Sequence, residues 1–553
     1  MKRLIKITTA FLLTAGLAFG LQHGDRPAPH STGTRSPVLG MNGMVATSQP
    51  LASVAALRVL QEGGNAVDAA ITAAAVLNVV EAPMTGIGGD MFALLYMQEE
   101  GKPTALNGSG WAGSKATIDY LKSRGMDRIP GGISSVSVPG AVAGWFKLHE
   151  RYGTLPMSRL LQPAIEYAEN GFPVSEIIAG QWQGAEEKLR RNDAAARTYL
   201  IDGRAPRHGE VFRSPDIAQT FRLLADEGRD AYYKGSIARK IVATSDELGG
   251  FLTMADFEEF DAQWVEPVST NYRGYDVFEM PPNTQGIVAL EMLNILEGFD
   301  LKAMGHNSVD YLHTMTEAKK LAFADREVFI ADPDRVDLPT ERLISKEYGL
   351  ERRKLIDPDR AQREAPPGIS EEGDTVYLTI VDGDRNAVSF INSLFSSFGS
   401  GVVVGGTGIM LHNRGGSYSL DPAHRNSLAP RKRPFHTLVP AMVLKDAQPF
   451  FSFGVMGGDM QPQGHAQVIA NIVDFGMDAQ HAGEAPRFRH SSQGLALESA
   501  IDGNIRFGLS RKGHRIINSF GAFGGYQGIL IDPETGVLMG GSDPRKDGLA
   551  LGW

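Results

Sequence analysis

An abrupt change at residue 375, from a polar linker to an apolar β-rich run, most restricts how this chain folds. The linker, residues 357–374, has a Pro pair, two Gly and no periodic apolar pattern, which indicates an exposed loop. Residues 375–381 (TVYLTIV) are rich in β-branched and aromatic residues and predict a strand. Residues 382–386 favour a turn and 387–391 a second strand. The sequence therefore predicts a hairpin that begins at Thr375.

Other segments predict helices and strands on both sides of this hairpin. Apolar residues at helical spacing predict helices over 51–61, 66–80, 307–332 and 468–475, and the second of these is apolar enough to be buried. Residues 140–260 predict mainly helices. Short apolar runs predict strands at 91–96, 401–404, 438–444 and 527–532. The pattern favours an α+β fold in which helices flank a sheet core.

Composition excludes several classes of function. The chain has no cysteine, which rules out disulfides, thiolate metal sites and a catalytic Cys. Its net charge is −10 and its densest basic run is 431–433, so nucleic acid is not expected as a partner. The 13 His lack metal-ligand spacing, and phosphate-loop, HExxH and GxSxG motifs are absent. We expect no metal and no cofactor.

The first 20 residues resemble a secretion signal. Lys2, Arg3 and Lys6 precede the apolar run 7–17, and residues 18–20 (AFG) form a small-x-small cleavage site. An uncleaved anchor or a buried first helix is the alternative. No later run has the length of a membrane span. We therefore expect an exported protein, periplasmic or secreted, that does not associate with the membrane after the signal is removed.

Thr375 is the candidate nucleophile. A Thr hydroxyl needs a neighbouring base, and cleavage of the preceding bond would supply one as the α-amine of Thr375 itself. Such an amine has a pKa of about 7.7–8.0 and accepts a proton near neutral pH. An ordinary turn residue is the alternative. The paired Gly457 and Gly458 follow an apolar run and could direct backbone N–H groups into a cavity as an oxyanion hole; a tight strand-to-helix turn is the alternative there.

Several separate blocks, in order along nearly the whole chain, resemble the γ-glutamyltransferase family of N-terminal-nucleophile hydrolases. The blocks are GMVA (43–46), EGGNAVDAA (62–70), GIGG (86–89), VPGAVAG (138–144), TVYLTIVD (375–382), NAVS (386–389), FGSG (398–401) and SDPRKDG (542–548).

The resemblance implies a four-layer αββα sandwich and a precursor that cuts itself between Asp374 and Thr375. Residues 21–374 would form the large subunit and 375–553 the small subunit, and the two would remain associated. Thr375 occupies the position of the family's nucleophile. Gly457 and Gly458 occupy the positions of its oxyanion-hole glycines.

Two charged positions of the family are replaced in this sequence. The Arg that binds the glutamyl α-carboxylate falls on Ser109, and the Asp that binds the α-amine falls on Ser417. Because each charged hydrogen bond contributes roughly 1.5–3 kcal/mol, recognition of a free amino-acid zwitterion should weaken. Arg414 is a candidate replacement cation, because a guanidinium binds a carboxylate at two points. A solvated surface Arg is the alternative.

Further positions point to a divergent branch of the family. A supporting Asn falls on Phe395 and a second Thr on Ser393, and a Ser pair falls on His436 and Thr437. The pattern resembles cephalosporin-acylase-like and oxamate-amidohydrolase-like members. Two residues, His436 and Gln461, are candidate substrate contacts. For both of them, a structural hydrogen-bonding role is the alternative.

The resemblance implies an amidohydrolase or acyltransferase that acts through a Thr acyl-enzyme, with γ-glutamyl amides such as glutathione as the default substrate. Water or an amine would accept the acyl group. A hydrolase of another small carboxylated amide is the first alternative. An inactive exported binding protein that keeps the fold is the second.

Overall fold

The computed structural model describes residues 34–362, 374–519 and 521–553. Helix and strand are mixed along the chain, as expected for an α+β protein. Two seven-stranded sheets, named sheet I and sheet II here, dominate the fold. The described residues leave out the proposed signal peptide and most of the linker before Thr375, so those predictions lie outside the structure.

Sheet I contains the Thr375 strand. All of its neighbouring strands pair antiparallel. Its strands, in spatial order, are Leu549–Gly552, Met44–Thr47, Asp374–Val381, Ala387–Phe395, Asp90–Met97, Lys102–Gly108 and Gln263–Val265.

Sheet II is also antiparallel throughout. Its strands, in spatial order, are Val38–Gly40, Leu538–Ser542, Tyr526–Ile531, Gln448–Val455, Ala441–Lys445, Tyr275–Glu279 and Val268–Tyr272. Short strands outside the two sheets are Phe172–Pro173, Val211–Phe212, Val403–Val404, Ile409–Met410, Phe488–Ser491, Gly494–Leu497 and Ile516–Ile517.

Helices surround the sheets. They span Pro50–Gln61, Ala66–Val80, Ile118–Ser123, Ala141–Tyr152, Met157–Asn170, Glu176–Gly184, Glu186–Arg190, Asp193–Tyr199, Pro215–Glu227, Arg229–Tyr233, Ser236–Glu247, Met254–Glu258, Gly286–Leu296, Leu301–Met304, Val309–Phe329, Thr340–Leu343, Lys346–Arg353, Met460–Val473, Ala479–Glu484 and Gly503–Arg511. Among the described residues, no helix combines the length and the apolar character that a bilayer span requires.

The alternation of side chains along the Thr375 strand connects two apolar cores. Val376 and Leu378 belong to a cluster that includes the helix Ala66–Val80. Tyr377 belongs to a cluster that combines residues of both sheets, such as Phe92 and Met442. Successive side chains of a strand point to opposite faces, so the strand is covered on both sides. A third cluster packs Gly286–Leu296, Val309–Phe329 and Met460–Val473 against sheet II, through residues such as Phe451 and Phe453.

The predictions with the strongest local pattern are confirmed. The helix predicted over 66–80 spans Ala66–Val80, with every residue buried and Asn65 as its N-cap. The hairpin predicted from Thr375 consists of Asp374–Val381 and Ala387–Phe395. The helix predicted over 307–332 spans Val309–Phe329.

The start of one predicted helix is wrong. We predicted 468–475, whereas the helix spans Met460–Val473. Pro462 lies in its first turn, where the missing N–H removes no helical hydrogen bond. A Cβ on Gly464 would lie 2.6 Å from the side chain of Val455, so a glycine there allows the helix to approach the strand closely. In a sequence, Pro and Gly usually indicate the end of a helix, so these two residues led to a predicted start that is too late.

Candidate active site

Thr375 lies at the start of an interior strand of sheet I, with its side chain only 2% exposed. Its hydroxyl donates a hydrogen bond to the hydroxyl of Ser393 on the neighbouring strand, at 3.3 Å. The Ser393 hydroxyl also accepts from the backbone N–H of Phe395 at 2.8 Å. Ser393, which stands where the family has a second Thr and was a candidate for substrate binding, is therefore the residue that orients the Thr375 hydroxyl in the uncut chain.

The pairing of the two strands is irregular at this point. Asp374 lies opposite Phe395 and Val376 opposite Asn392, so Thr375 faces two residues, Ser393 and Leu394. Such a bulge redirects side chains and is frequent beside active sites. Phe395 also has a φ of +80°, which is rare for a residue with a side chain. The bulge and the positive φ show that the backbone beside Thr375 departs from regular strand geometry.

A cavity of about 540 Å³ opens onto Thr375 and Gly457. Its other walls include Met456 and the charged side chains Arg489, Glu498, Arg545 and Lys546. The backbone φ angles of Gly457 and Gly458 are +112° and +57°, a region that glycine adopts readily. Within the described residues, neither of their backbone N–H groups donates a hydrogen bond. The predicted nucleophile and oxyanion glycine therefore share a cavity.

A buried carboxylate, Asp90, connects the segments around the site. One of its oxygens accepts hydrogen bonds from the backbone N–H groups of Gly110 and Gly140, at 3.0 and 3.1 Å. The other lies 3.1 Å from Nε2 of His436 and 3.6 Å from Nδ1 of His412. Burial acts to raise the pKa of Asp90, but the two imidazoles and Arg414 outweigh it and lower that pKa to about 2. Asp90 is therefore ionised.

His436 is fully buried and both of its ring nitrogens are bonded within the protein. Its Nδ1 accepts from the backbone N–H of Leu438 at 3.3 Å, so its Nε2 carries the proton that is donated to Asp90. Burial, together with the charge of Arg414, lowers the pKa of His436 to about 3. His436 is a neutral hydrogen-bond donor, and the predicted substrate contact would require one of these bonds to break.

Arg414 is buried as well, with 1% exposure. Its guanidinium donates to the hydroxyl of Thr437 at 3.0 Å and lies 4.0 Å from the ring centroid of Phe395. The alternative interpretation of Arg414 as a solvated surface residue is therefore wrong, because its side chain packs inside the protein. Its two neighbours, Thr437 and Phe395, stand at positions that the family resemblance singled out, and Arg414 itself was the predicted replacement cation.

Of the remaining predicted residues, Ser109 and Gln461 are buried and Ser417 is half-buried. Ser109 accepts a hydrogen bond at its hydroxyl from Nδ2 of Asn283, at 3.1 Å. Oε1 of Gln461 accepts from the backbone N–H of Val439 at 2.8 Å, while its Nε2 has no partner among the described residues. The hydroxyl of Ser417 likewise has no partner in the described part of the chain. Buried polar atoms without partners are costly, and neither residue lines the cavity that opens onto Thr375.

Sequence reasoning missed four residues that organise the site. Asp90 begins an apolar strand, which is an unusual place for a charge and could have identified it. His412 lies two residues before Arg414 and five before Ser417, the two positions of this segment that were singled out in the sequence. Asn283 and Gln285 follow a Pro pair and carry no sequence motif, although both are fully buried.

One group of potential metal ligands lies together in the described part of the chain, away from the site. Ligand atoms of His313, Glu317 and His514 lie within 4.8 Å of one another. The two imidazoles hydrogen-bond each other at 2.8 Å, and the ammonium of Lys320 lies 2.8 Å from Glu317. Glu317 also accepts from the backbone N–H of Gln362 at 2.9 Å. These potential ligand atoms are thus already bonded within the protein. Glu317 also fixes Gln362, which is at the end of the described part of the linker.

A family model described as Gamma-glutamyltranspeptidase matches residues 52–553. The chain belongs to the gamma-glutamyltranspeptidase family. The glutathione hydrolase-like YwrD proenzyme of Bacillus subtilis is 39% identical and is matched over 93% of this chain and 99% of its own length. The oxamate amidohydrolase proenzyme of Klebsiella pneumoniae is 36% identical, over 93% of this chain and 98% of its own.

A solved gamma-glutamyltranspeptidase-family structure shares the fold over nearly the whole chain. The cephalosporin acylase from Bacillus halodurans superposes with a TM-score of 0.89 and 44% identity, covering 97% of this chain and 99% of the acylase. The protein is therefore an enzyme of this family of N-terminal-nucleophile hydrolases. Because these relatives carry different substrate names, family membership leaves the substrate open.

Proposed function

We propose that the chain is cut between Asp374 and Thr375 and that the mature protein is an amidohydrolase or acyltransferase whose nucleophile is Thr375. The observation that carries this proposal is the shared cavity of Thr375 and Gly457. A buried hydroxyl at the start of a strand, in a cavity shared with a glycine whose N–H donates no hydrogen bond among the described residues, is an arrangement suited to attack on a carbonyl.

In the uncut chain the nitrogen of Thr375 is a peptide amide and cannot accept a proton. Cleavage converts it into an α-amine that takes the proton of the Thr375 hydroxyl as the oxygen attacks the substrate carbonyl. The N–H groups of Gly457 and Gly458 stabilise the oxyanion. The C–N bond breaks, the amine leaves with the proton, and an ester to Thr375 remains. Water, or an amine acceptor, releases the acyl group.

Two substrate classes compete. γ-Glutamyl amides such as glutathione are the default of the family. Small amides with a carboxylate but no α-amine, of the cephalosporin-acylase or oxamate type, are the second class. The buried Arg414 supports the second class, because it supplies a cation while Ser417 stands where the family binds an amine. Under this alternative the enzyme hydrolyses its substrate without transfer.

The test is to incubate the purified protein with glutathione, oxamate, glutaryl amides and neutral acyl amides. The Thr375→Ala variant gives the background. Glutathione turnover no faster than this background would rule out the default substrate, and turnover of the carboxylated amides would then identify the second class. An uncut protein without activity on any amide would instead support an inactive binding protein.

Three further proposals accompany this function. The precursor would carry a signal peptide over residues 1–20 and be exported to the periplasm or secreted. Residues 21–374 and 375–553 would become two subunits of one catalytic domain. The packing of helices outside two facing sheets supports the four-layer αββα sandwich of N-terminal-nucleophile hydrolases. N-terminal sequencing of both mature fragments tests the first two.

A further inference from the structure

Gln285 is a buried amide that bonds to two segments of the active site at once. Its side chain is fully buried at the residue before the helix Gly286–Leu296. Its Nε2 donates to the backbone carbonyl of Thr437 at 2.9 Å and to that of Gly458 at 3.0 Å. These two acceptors account for both hydrogens of the amide.

The other end of the same amide is held by an arginine. Nη1 of Arg326 donates to Oε1 of Gln285 at 2.8 Å and to the carboxylate of Asp459 at 2.6 Å. Asp459 directly follows the glycine pair, and Arg326 lies on the helix Val309–Phe329. The guanidinium of Arg326 therefore bonds to the oxygen of the Gln285 amide and also to the carboxylate of the residue after Gly458.

The backbone of Gln285 adds a further tie to the Thr437 segment. Its N–H donates to the carbonyl of His436 at 3.2 Å, and Thr284 and His436 form an isolated parallel bridge. The Thr437 segment leads into the strand Ala441–Lys445 and the glycine turn follows the strand Gln448–Val455, so both lie at the same end of this antiparallel pair, beyond its paired residues. Gln285 links them directly beyond the end of the paired strands, in addition to the bond from the backbone N–H of Val439 to Gln461.

We propose that Gln285 is a positioning residue for the oxyanion-hole turn, a role that rests on the proposed function. The φ angles of Gly457 and Gly458 are ones that glycine reaches easily and also leaves easily. An oxyanion hole contributes to catalysis only when its donors are already oriented. The hydrogen bond to the carbonyl of Gly458 removes this freedom, and the bond to Thr437 sets the turn relative to the segment that contacts Arg414.

Gln285→Leu keeps the volume of the side chain and removes both hydrogen bonds to the site. We expect kcat to fall about tenfold to a hundredfold while KM stays within about threefold, because the oxyanion is formed only on the way to the transition state. Gln467→Leu is the matched control. Nε2 of Gln467 also donates to two backbone carbonyls, those of Gln463 and Phe488, but away from the glycine turn. Its kcat should remain within about twofold of the wild type.

Gln285→Glu is the second variant in case Gln285→Leu does not fold. It keeps an oxygen for Arg326 but has lost the amide donors, so we expect the same fall in kcat. Wild-type kcat in either folded Gln285 variant, or an equal loss in Gln467→Leu, would overturn the proposal.

A probe that is independent of the natural substrate separates this proposal from the function itself. p-Nitrophenyl acetate should acetylate Thr375 of the cut wild type, detected as a mass increase on the small fragment. Slower acetylation of the Gln285 variants supports the positioning role even if every amide tested is a poor substrate. A cut wild type whose acetylation does not depend on Gln285 contradicts the positioning role alone. An uncut wild type that is not acetylated contradicts both proposals.

Discussion

The guanidinium of Arg414 lies over the ring of Phe395, 4.0 Å from the ring centroid, at the end of the strand that pairs with the Thr375 strand. A buried cation in this position is the candidate partner for a substrate carboxylate. The stacking also limits how far Arg414 can move, so its orientation is set before a substrate arrives.

Replacement of Arg414 by methionine should weaken the recognition of carboxylated substrates. We expect kcat/KM for such an amide to fall about ten- to a hundredfold, since a charged hydrogen bond contributes roughly 1.5–3 kcal/mol. Turnover of a neutral analogue should change much less. Arg425→Met is the control, because Arg425 also lies over a Phe ring, that of Phe329, but away from the site. Equal losses on charged and neutral amides would contradict the assignment of Arg414.

Thr375→Ala should leave the precursor uncut and inactive. The variant lacks the hydroxyl that attacks both the Asp374 carbonyl and the substrate. On a denaturing gel we expect one band in place of two, and no amide hydrolysis above background. Thr379→Val is the control: Thr379 lies on the same strand as Thr375, its hydroxyl bonds to that of Ser452 on sheet II, and its loss should cost about 1 kcal/mol of stability without preventing cleavage. A Thr375→Ala protein with two bands would disprove self-cleavage by Thr375.

Gly457→Ala should reduce kcat by about a hundredfold, a loss typical of a damaged oxyanion hole. Alanine disfavours a φ of +112°, and its Cβ would lie 3.1 Å from the Cα of Gly524. Gly476→Ala is matched to it, since Gly476 also has a positive φ, +65°, and open space around its Cβ. We expect this control to lose about 1 kcal/mol of stability and to keep its kcat. Equal kcat values in the two variants would rule out a special role for Gly457.

His436 should make stability depend on pH. Its pKa is lowered to about 3 in the folded protein, whereas an ordinary imidazole, as in the unfolded chain, has a pKa of 6.5. Between these values the unfolded chain binds more protons, so stability rises with pH across this window and is lost as pH falls from about 6.5 towards 3. The slope is at most about 1.4 kcal/mol per pH unit. His436→Gln should remove this part of the dependence.

This measurement is best made in the Thr375→Ala background, where the chain is uncut and unfolding involves a single molecule. Urea unfolding at pH 5 and pH 7 gives the two free energies of unfolding. The pH-dependent difference should be larger in the protein that keeps His436. Identical differences with and without His436 would show that its pKa is not depressed.

The sequence predicted those parts of the molecule whose pattern is local. The helix Ala66–Val80 is apolar throughout with an Asn cap, and the Thr375 hairpin has strand, turn and strand in succession. Thr375 and the glycine pair were predicted from a loop-to-strand junction, from two adjacent glycines after an apolar run and from the family resemblance.

The contacts between distant segments could not be predicted in this way. His436 and Asp90 are 346 residues apart, and Gln285 and Gly458 are 173 apart. Neither pair leaves a periodic pattern, because each depends on how the two sheets bring the loops together. The start of the Met460–Val473 helix was hidden by Pro462 and Gly464, whose effect depends on their place in the first turn and on the neighbouring strand.

Both sheets interleave strands from either side of residue 375. In sheet I, Met44–Thr47 lies between Leu549–Gly552 and Asp374–Val381, and in sheet II, Tyr275–Glu279 pairs with Ala441–Lys445. Five of the twelve strand pairings in the two sheets join strands from opposite sides of this residue, so each fragment of a chain cut before Thr375 would lack these partners. Recovery from denaturation would become a second-order reaction, dependent on protein concentration. The cut enzyme would be assembled once, as a single chain, and be maintained afterwards by slow unfolding.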